Sequence, residues 1–192
     1  DGGPGFWTQQ HQDSVSIYFR YLLPTTPAAE CQTEYRVYGD GTIRTTLTCR
    51  PPEELGDMPE FGMLFKMDAD YSTLEWYGPG PEETYADRCK GAKLGIHRTT
   101  ASQSLAQYLV PQECGNHVDV RYGKVMDHRG RGLIFRGKGI HLSLLNYTPH
   151  QLENASHAYE LPRPYHSVIR VAAGQMGVGG DDSWGARVHE EY

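Results

Sequence analysis

The sequence predicts an all-β protein of antiparallel strands, with few and short helices. Apolar and polar residues alternate in many short runs, which is the pattern of strands that bury one face. The 192 residues include 22 glycines, 12 prolines and 13 tyrosines, and this excess of glycine and proline is typical of turn-rich β proteins. The length predicts a single domain over residues 1–192, and the start at Asp1 rather than at Met indicates a fragment of a longer protein.

The alternating runs give the strands in chain order. The first occupies Ser14–Leu23, where every second side chain is apolar. The turn Gly39-Asp40-Gly41 then joins two runs as a hairpin, because glycine adopts the positive φ angles that tight turns need. Glycine-rich turns at residues 129–132 and 136–139 are expected to separate the strands beside them. Besides the first, the predicted strands contain Tyr35 and Val37, Ile43 to Cys49, Phe61 to Met67, Leu74 with Trp76, Val118 to Tyr122, Leu133 to Phe135, Ile140 to Leu144 and Val168 to Val171.

Helical signals are confined to two short segments. In the first, Thr148 can cap a helix whose first position is Pro149, and Gln151 completes a capping box. This helix is expected to end near His157. A weaker pattern predicts a second helix over residues 102–109, stopping before a proline.

Composition and charge exclude several classes of function. The net charge is −6, which argues against nucleic acid and anionic membranes as partners, since both need clustered Lys and Arg. No apolar run is long enough to span a membrane. The four cysteines form no Cys-x-x-Cys pair, so a structural zinc site is not expected. Free thiols are the favoured interpretation, although a disulfide is possible on count alone. Unpaired cysteines are typical of the cytoplasm, so a cytoplasmic protein is expected.

Three segments interrupt the strand pattern with polar residues and turn formers, at residues 76–88, 111–117 and 175–185. In the first, Gly and Pro alternate, which excludes both a helix and a strand ladder and predicts an ordered loop. This loop could be a long hairpin connection or part of a site, and the second segment could be a plain surface turn. The third combines glycines with Asp181, Asp182 and Trp184, which is unusual for a connection.

The third segment does not fit a phosphate or calcium site. It lacks a Gly-Lys-Ser/Thr sequence followed by a helix, and it lacks the alternating oxygen ligands of a calcium loop. The face of Trp184 can stack on the C–H groups of a galactose-like sugar, although core packing is the alternative. The neighbouring glycines favour close approach of the backbone to a ligand.

Catalytic residues cannot be assigned from the sequence. Adjacent carboxylates such as Glu82 and Glu83 could supply the acid pair of a glycosidase, but nothing in the sequence buries one and solvates the other. No Gly-x-Ser-x-Gly elbow and no metal-binding histidine spacing is present.

Taken together and in order, these motifs resemble the C-terminal β domain of bacterial β-galactosidases of glycoside hydrolase family 2, which also occurs as the small chain of heterodimeric enzymes. The resemblance covers nearly the whole chain. It runs through Phe61-Gly62-Met63, Glu75-Trp76-Tyr77-Gly78-Pro79-Gly80-Pro81-Glu82-Glu83-Thr84-Tyr85-Ala86-Asp87-Arg88, Pro111-Gln112-Glu113-Cys114-Gly115-Asn116, Tyr147-Thr148-Pro149-His150-Gln151-Leu152, His157, Glu160-Leu161-Pro162 and Gln175-Met176-Gly177-Val178-Gly179-Gly180-Asp181-Asp182-Ser183-Trp184-Gly185.

This resemblance implies an antiparallel β-supersandwich related to galactose mutarotases. It also implies part of a retaining β-galactosidase that hydrolyses terminal non-reducing β-D-galactose residues, as in lactose. The expected partners are the β-galactoside and the TIM-barrel portion or large subunit, in a homo-oligomeric parent. The catalytic glutamates lie in that barrel, so the isolated chain is expected to be inactive. No cofactor is expected in this domain, and the Mg²⁺ and Na⁺ of the family are expected in the rest of the enzyme.

The resemblance also implies which residues meet the substrate. Trp184 corresponds to a platform on which substrate stacks, and residues 78–88 resemble a mobile loop that closes over it. The substrate-binding residues expected on this basis are Trp184, Asp182, Gly78, Gly80, Glu82 and Arg88. Cys114 departs from the family motif, where Asn is common.

Two other functions are compatible with parts of this pattern. An autonomous galactose- or carbohydrate-binding module would use the same aromatic platform without catalysis. A mutarotase-like enzyme is suggested only by the implied fold, and no His/Glu acid–base pair can be assigned for it.

Overall fold

The computed structural model describes residues 5–179, which form ten strands, one short α-helix and one 3-10 turn. The paired strands are antiparallel, so the all-β antiparallel fold class with few short helices is confirmed. The elements are β1 (Gly5–Gln10), β2 (Ser14–Leu23), β3 (Ala29–Tyr38), β4 (Ile43–Arg50), β5 (Glu60–Asp68), β6 (Thr73–Gly80), β7 (Lys93–Thr100), β8 (Asn116–Met126), β9 (Gly132–Leu145), α1 (Pro149–Glu153), a 3-10 turn (Ala158–Glu160) and β10 (His166–Gln175).

The chain divides into two compact units between Asp57 and Met58. The first unit contains a four-stranded sheet in the order β1-β2-β3-β4, and each strand pairs with the next along the chain. The predicted hairpin joins β3 to β4, with Gly41 at a φ of +86°. The Tyr38 N–H donates to the Thr42 carbonyl at 2.9 Å across this turn. The expectation of a single domain over residues 1–192 stays a prediction.

The second unit contains a six-stranded sheet in the order β5-β10-β9-β8-β6-β7. Its apolar face carries a cluster of buried side chains contributed mainly by the four central strands, because alternate residues of a strand point to the same face. The buried members of this cluster are Leu74, Trp76, Ala101, Val120, Val125, Leu142, Leu144 and Ile169.

Two predicted interruptions of the second sheet are wrong. Strand β9 is continuous through Gly137 and Gly139, and its register with β8 shifts there in a bulge. In this region Asp119 of β8 has a φ of +50° and Gly139 of β9 has a φ of +64°. Strand β6 continues through Gly78-Pro79-Gly80, which had been predicted as loop. A proline fits there because β6 pairs with β8 only as far as Tyr77 and continues beyond it with β7 alone. On the β8 side, the missing N–H of Pro79 therefore breaks no ladder hydrogen bond.

The first predicted helix is confirmed. Thr148 and Gln151 form the capping box and Pro149 opens α1, but the helix ends at Glu153 instead of near His157. The second predicted helix, over residues 102–109, is wrong, since the segment forms turns. There Thr100 and Ser104 bond to the backbone with their own hydroxyls, which competes with continued helix. Within residues 5–179, no helix is long and apolar enough to cross a membrane.

Candidate functional site

The three segments that interrupt the strand pattern meet in the second unit. They border a pocket of about 310 Å³. Its walls come from the loop after β6, from the turns before β8, and from the chain after β10. The lining residues are Arg88, Tyr108, Gln112, Glu113 and Val178. A guanidinium, a phenol, an amide and a carboxylate therefore surround a space open to a polar ligand.

Glu83 links the loop after β6 to the turns before β8. Its carboxylate accepts hydrogen bonds from the Tyr108 hydroxyl at 2.7 Å, from the Gly115 N–H at 2.7 Å and from the Arg88 guanidinium at 3.0 Å. Arg88 also lies over the Tyr85 ring, with its Cζ 5.2 Å from the ring centroid. One partly buried carboxylate thus fixes two of the side chains that shape the pocket.

The backbone of the same loop is bound to the start of β8. The Thr84 N–H donates to the Asn116 carbonyl at 2.7 Å, and the Asn116 side-chain amide donates back to the Thr84 carbonyl at 3.0 Å. The Thr84 hydroxyl accepts from the Val118 N–H at 2.9 Å. These bonds satisfy backbone groups that would otherwise be buried without partners, and they hold the centre of the loop against the sheet.

A buried charge cluster includes Glu113, which lines the pocket. The Arg170 guanidinium binds both carboxylate oxygens of Glu113, and the Tyr85 hydroxyl donates to Glu113 at 2.9 Å. Burial alone would raise the pKa of Glu113, but its bonds to Arg170 and Tyr85 outweigh burial and lower that pKa. Burial raises the pKa of the neighbouring Glu60, because desolvation outweighs the opposing effect of the Arg170 charge. Arg170 lies on β10 and therefore joins this strand to the second segment.

The glycines at the end of β6 cover a stack of aromatic rings. Trp76 is fully buried between His117, whose ring centroid is 3.9 Å away, and His97 at 5.2 Å. A Cβ on Gly80 would come within 2.7 Å of His97 and 2.9 Å of Trp76, and one on Gly78 within 3.2 Å of Val120. Only glycine fits at Gly80 without displacing the rings. Burial lowers the pKa of His117 to about 4, so this histidine is neutral.

The third segment is tied to the first through Asp87. The Gly179 N–H donates to Asp87 Oδ2 at 2.7 Å. The second oxygen, Oδ1, is buried and has no hydrogen-bond partner among residues 5–179. Gly179 precedes Trp184 by five positions in the sequence, so Asp87 anchors the point from which the chain continues to this tryptophan. Trp184, Asp181 and Asp182 themselves lie outside the described residues.

Comparison with known proteins identifies the family. The family model for the β-galactosidase small chain matches residues 6–192. The chain belongs to this family. A β-galactosidase of Bifidobacterium adolescentis named BgaC is 50% identical over 94% of this chain, and a β-galactosidase of Halalkalibacterium halodurans is 44% identical over 93%. A β-galactosidase small subunit of Latilactobacillus sakei is 33% identical over 93% of this chain.

The chain spans less than two thirds of the length of each of these relatives. It covers 18% of the length of the Bifidobacterium and Halalkalibacterium proteins, and 59% of the Latilactobacillus small subunit. The resemblance to β-galactosidases expected from the motifs is thereby confirmed over nearly the whole chain.

The structure places the predicted site residues in different surroundings. Arg88 lines the pocket, and Glu82 is exposed in the same loop. Gly78 and Gly80 are buried in β6 and pack on β8 and on the aromatic stack. Their role in substrate binding, like those of Trp184 and Asp182, stays a prediction.

The sequence patterns did not predict several residues that shape the pocket. Glu83 was considered only as half of a carboxylate pair, yet it binds three donors. Nothing in the sequence indicated a role for Tyr108 or Asp87 in the pocket, apart from their positions in or near a polar segment. Cys114, the departure from the family motif, is buried in a cluster with Leu145 and Leu152, and burial raises the pKa of its thiol to about 11.

The pocket has the groups to bind a ligand but not those of an acid–base pair. A glycosidase acid needs a carboxyl with a raised pKa beside a second, ionised carboxylate. Glu113 is held ionised by Arg170, and the oxygens of Glu83 are taken by three donors. Glu60, whose pKa is raised, pairs with the buried Arg170 and does not line the pocket. Among residues 5–179 no three His, Cys, Asp or Glu side chains are grouped so that they could hold a metal ion.

Proposed function

We propose that this chain is the small-chain portion of a retaining β-galactosidase that hydrolyses terminal non-reducing β-D-galactose residues. In this proposal the catalytic glutamates and the Mg²⁺ and Na⁺ sites belong to a TIM-barrel portion or large subunit. The chain supplies substrate contacts at the mouth of that active site. The parent enzyme is homo-oligomeric and cytoplasmic, in keeping with the four free thiols of the chain.

One observation carries this proposal. The three motifs that resemble those of β-galactosidases are separated by tens of residues in the chain, yet they border one pocket through residues that lie outside the strands. A structural domain would not need to bring its polar loops together around an open space. The convergence therefore supports a site that these segments serve jointly.

The partners of the carboxylates near the pocket support a binding role for this chain. Glu113 neutralises the buried Arg170, and Glu83 binds Tyr108, Arg88 and the Gly115 N–H, so both already have structural partners. Removing either carboxylate for proton transfer would break these bonds. This supports a binding role for the pocket, with bond cleavage left to carboxylates outside the chain.

The proposed substrate contact is Trp184. Its segment leaves the described residues at Gly179, which is bound to Asp87 beside the pocket. An indole offers an apolar face to the C–H groups of galactose. The loop at residues 81–88 supplies Arg88 to the lining of the pocket.

The test is Trp184→Ala in the intact β-galactosidase. Loss of an indole platform should cost about 1–3 kcal/mol of substrate binding, which corresponds to a KM raised roughly 5- to 150-fold with a smaller effect on kcat. Trp7→Ala is the matched control, because Trp7 is 43% exposed on β1 in the other unit. An unchanged kcat/KM in Trp184→Ala contradicts the proposed contact.

A further inference from the structure

Two cysteines face each other across neighbouring strands of the first unit. Cys31 lies in β3 and Cys49 in β4, and the two are direct partners in the strand register. Both are free thiols in the structure. Nothing in the proposed galactosidase function uses them.

The hydrogen-bond pattern of the hairpin determines which kind of pair this is. In antiparallel strands, hydrogen-bonded pairs alternate with non-hydrogen-bonded pairs. Tyr38 and Thr42 form a hydrogen-bonded pair at the turn, since the Tyr38 N–H donates to the Thr42 carbonyl at 2.9 Å. Cys31 and Cys49 are an odd number of positions from it in the register, so they form a non-hydrogen-bonded pair.

This kind of pair suits a disulfide. Its Cα atoms are about 4.5 Å apart and its side chains are closer than in the hydrogen-bonded kind. A disulfide requires Cα atoms roughly 4.4–6.8 Å apart. The bond can therefore form from the existing register, without a shift of β3 against β4.

The two thiols differ in exposure, and this difference determines which of them reacts first with an oxidant. Cys31 is buried on an inner strand, whereas Cys49 is partly exposed on β4, at one edge of the described sheet. Burial and the neighbouring Cys49 thiol raise the pKa of Cys31 to about 11, so Cys31 is a protonated thiol at neutral pH. Attack on an external oxidant therefore starts at Cys49.

We propose that Cys31 and Cys49 are a redox-active dithiol that a small-molecule disulfide, such as oxidised glutathione, converts to a cross-strand disulfide. The Cys49 thiolate attacks one sulfur of the oxidant, forms a mixed disulfide and releases one glutathione thiolate. Cys31 then loses its proton and attacks the Cys49 sulfur, and a second glutathione leaves. Two protein thiols are oxidised and one glutathione disulfide is reduced to two thiols.

The test is oxidation of the native full chain with oxidised glutathione, followed by alkylation and peptide mapping. We expect a peptide with Cys31 linked to Cys49 and a mass lower by two hydrogens, while Cys89 and Cys114 are alkylated. The bond closes a loop of about 18 residues, and we expect the Tm to rise by roughly 5–10 °C and to return on reduction.

Variants test the order and the specificity. Cys89→Ser/Cys114→Ser is the matched control and should form the same cross-link at the same rate. Cys31→Ser should stop at a stable mixed disulfide on Cys49, whereas Cys49→Ser should react much more slowly. The proposal is overturned if native wild-type chain at equilibrium with the oxidant keeps an alkylatable Cys31, or if glutathione stays attached to Cys49. Because the decisive result comes from the wild-type chain, poor folding of a variant does not affect it.

Discussion

Asp87 connects two of the converging segments through a single carboxylate, with one oxygen on the Gly179 N–H and the other buried. We predict that Asp87→Ala in the intact enzyme raises KM about 5- to 10-fold and changes kcat less, because the tryptophan segment loses its anchor. Asp87→Asn keeps an acceptor oxygen and should retain most of the affinity. Steady-state kinetics with a nitrophenyl β-galactoside measure both.

Two controls separate positioning from general destabilisation by Asp87→Ala. Asp70→Ala removes an exposed aspartate of the same unit and should leave KM unchanged. In a Trp184→Ala background, Asp87→Ala should have little further effect on KM, because the residue acts through that tryptophan. A fall in Tm with a wild-type KM would show that Asp87 is only structural.

His117 makes the stability of the second unit depend on pH. Its pKa is about 4 in the folded chain and about 6.5 when unfolded, so the unfolded state binds more protons between these values. Stability is therefore lost as the pH falls from about 6.5 towards 4. We predict that the free energy of unfolding attributable to His117 drops by about 2 kcal/mol between pH 7.5 and pH 5.

Urea unfolding at the two pH values measures this loss. His117→Gln should reduce the pH dependence by that amount, whatever its effect on stability at pH 7.5. His128→Gln is the control, because His128 is exposed in a turn, and it should keep the wild-type dependence. Identical pH dependence in all three proteins would contradict the assignment.

At the scale of elements, the pairing of β5 with β10 depends on one close approach. A Cβ on Gly62 would lie 2.6 Å from the Ala172 Cβ on the neighbouring strand. We predict that Gly62→Ala lowers the free energy of unfolding by about 1–3 kcal/mol, because the strands must move apart. Gly174 is paired in the same ladder but has open space at its Cβ position, so Gly174→Ala should be neutral or slightly stabilising. Equal effects of the two changes, measured by urea unfolding, would count against this packing.

Alternation of apolar and polar residues made most of the strands predictable. In β6 the alternation matches burial, because every second residue is buried. The edge strands β4 and β5 also alternate, and they were predicted as well. Strands β1 and β7 were not predicted. Strand β1 is exposed along its whole length, and β7 exposes Leu94 and Ile96, so neither has an apolar face whose burial the sequence could show.

Glycine and proline led to predictions of turns at two places where the chain continues as a strand. The bulge in β9 and the Gly-Pro-Gly end of β6 have the composition of turns, but long-range pairing with β8 and β7 keeps the chain extended. The helix α1 was predictable because its capping box is local. The failed helix at residues 102–109 was decided by hydroxyl groups that bond to their own backbone.

For the whole molecule, the motifs predicted the family and the segments that form the pocket, but not the contacts within it. The bond between Asp87 and Gly179 joins residues that are far apart in the chain, and so do those from Glu113 to Arg170 and Tyr85. No local pattern encodes such a contact, because it depends on how β6, β8 and β10 are ordered in the sheet. Composition and motif order could therefore point to the site, while its geometry required the fold.

We propose that this chain is a non-catalytic part of a β-galactosidase. Hydrolysis of a nitrophenyl β-D-galactoside by the purified chain, alone and after addition of the complementary TIM-barrel portion, tests this proposal. We expect no turnover above buffer for the chain alone and activity only in the combined sample. Turnover by the chain alone that survives repurification and is lost in Glu113→Gln or Asp182→Asn would contradict it, since catalytic carboxylates would then lie within these 192 residues.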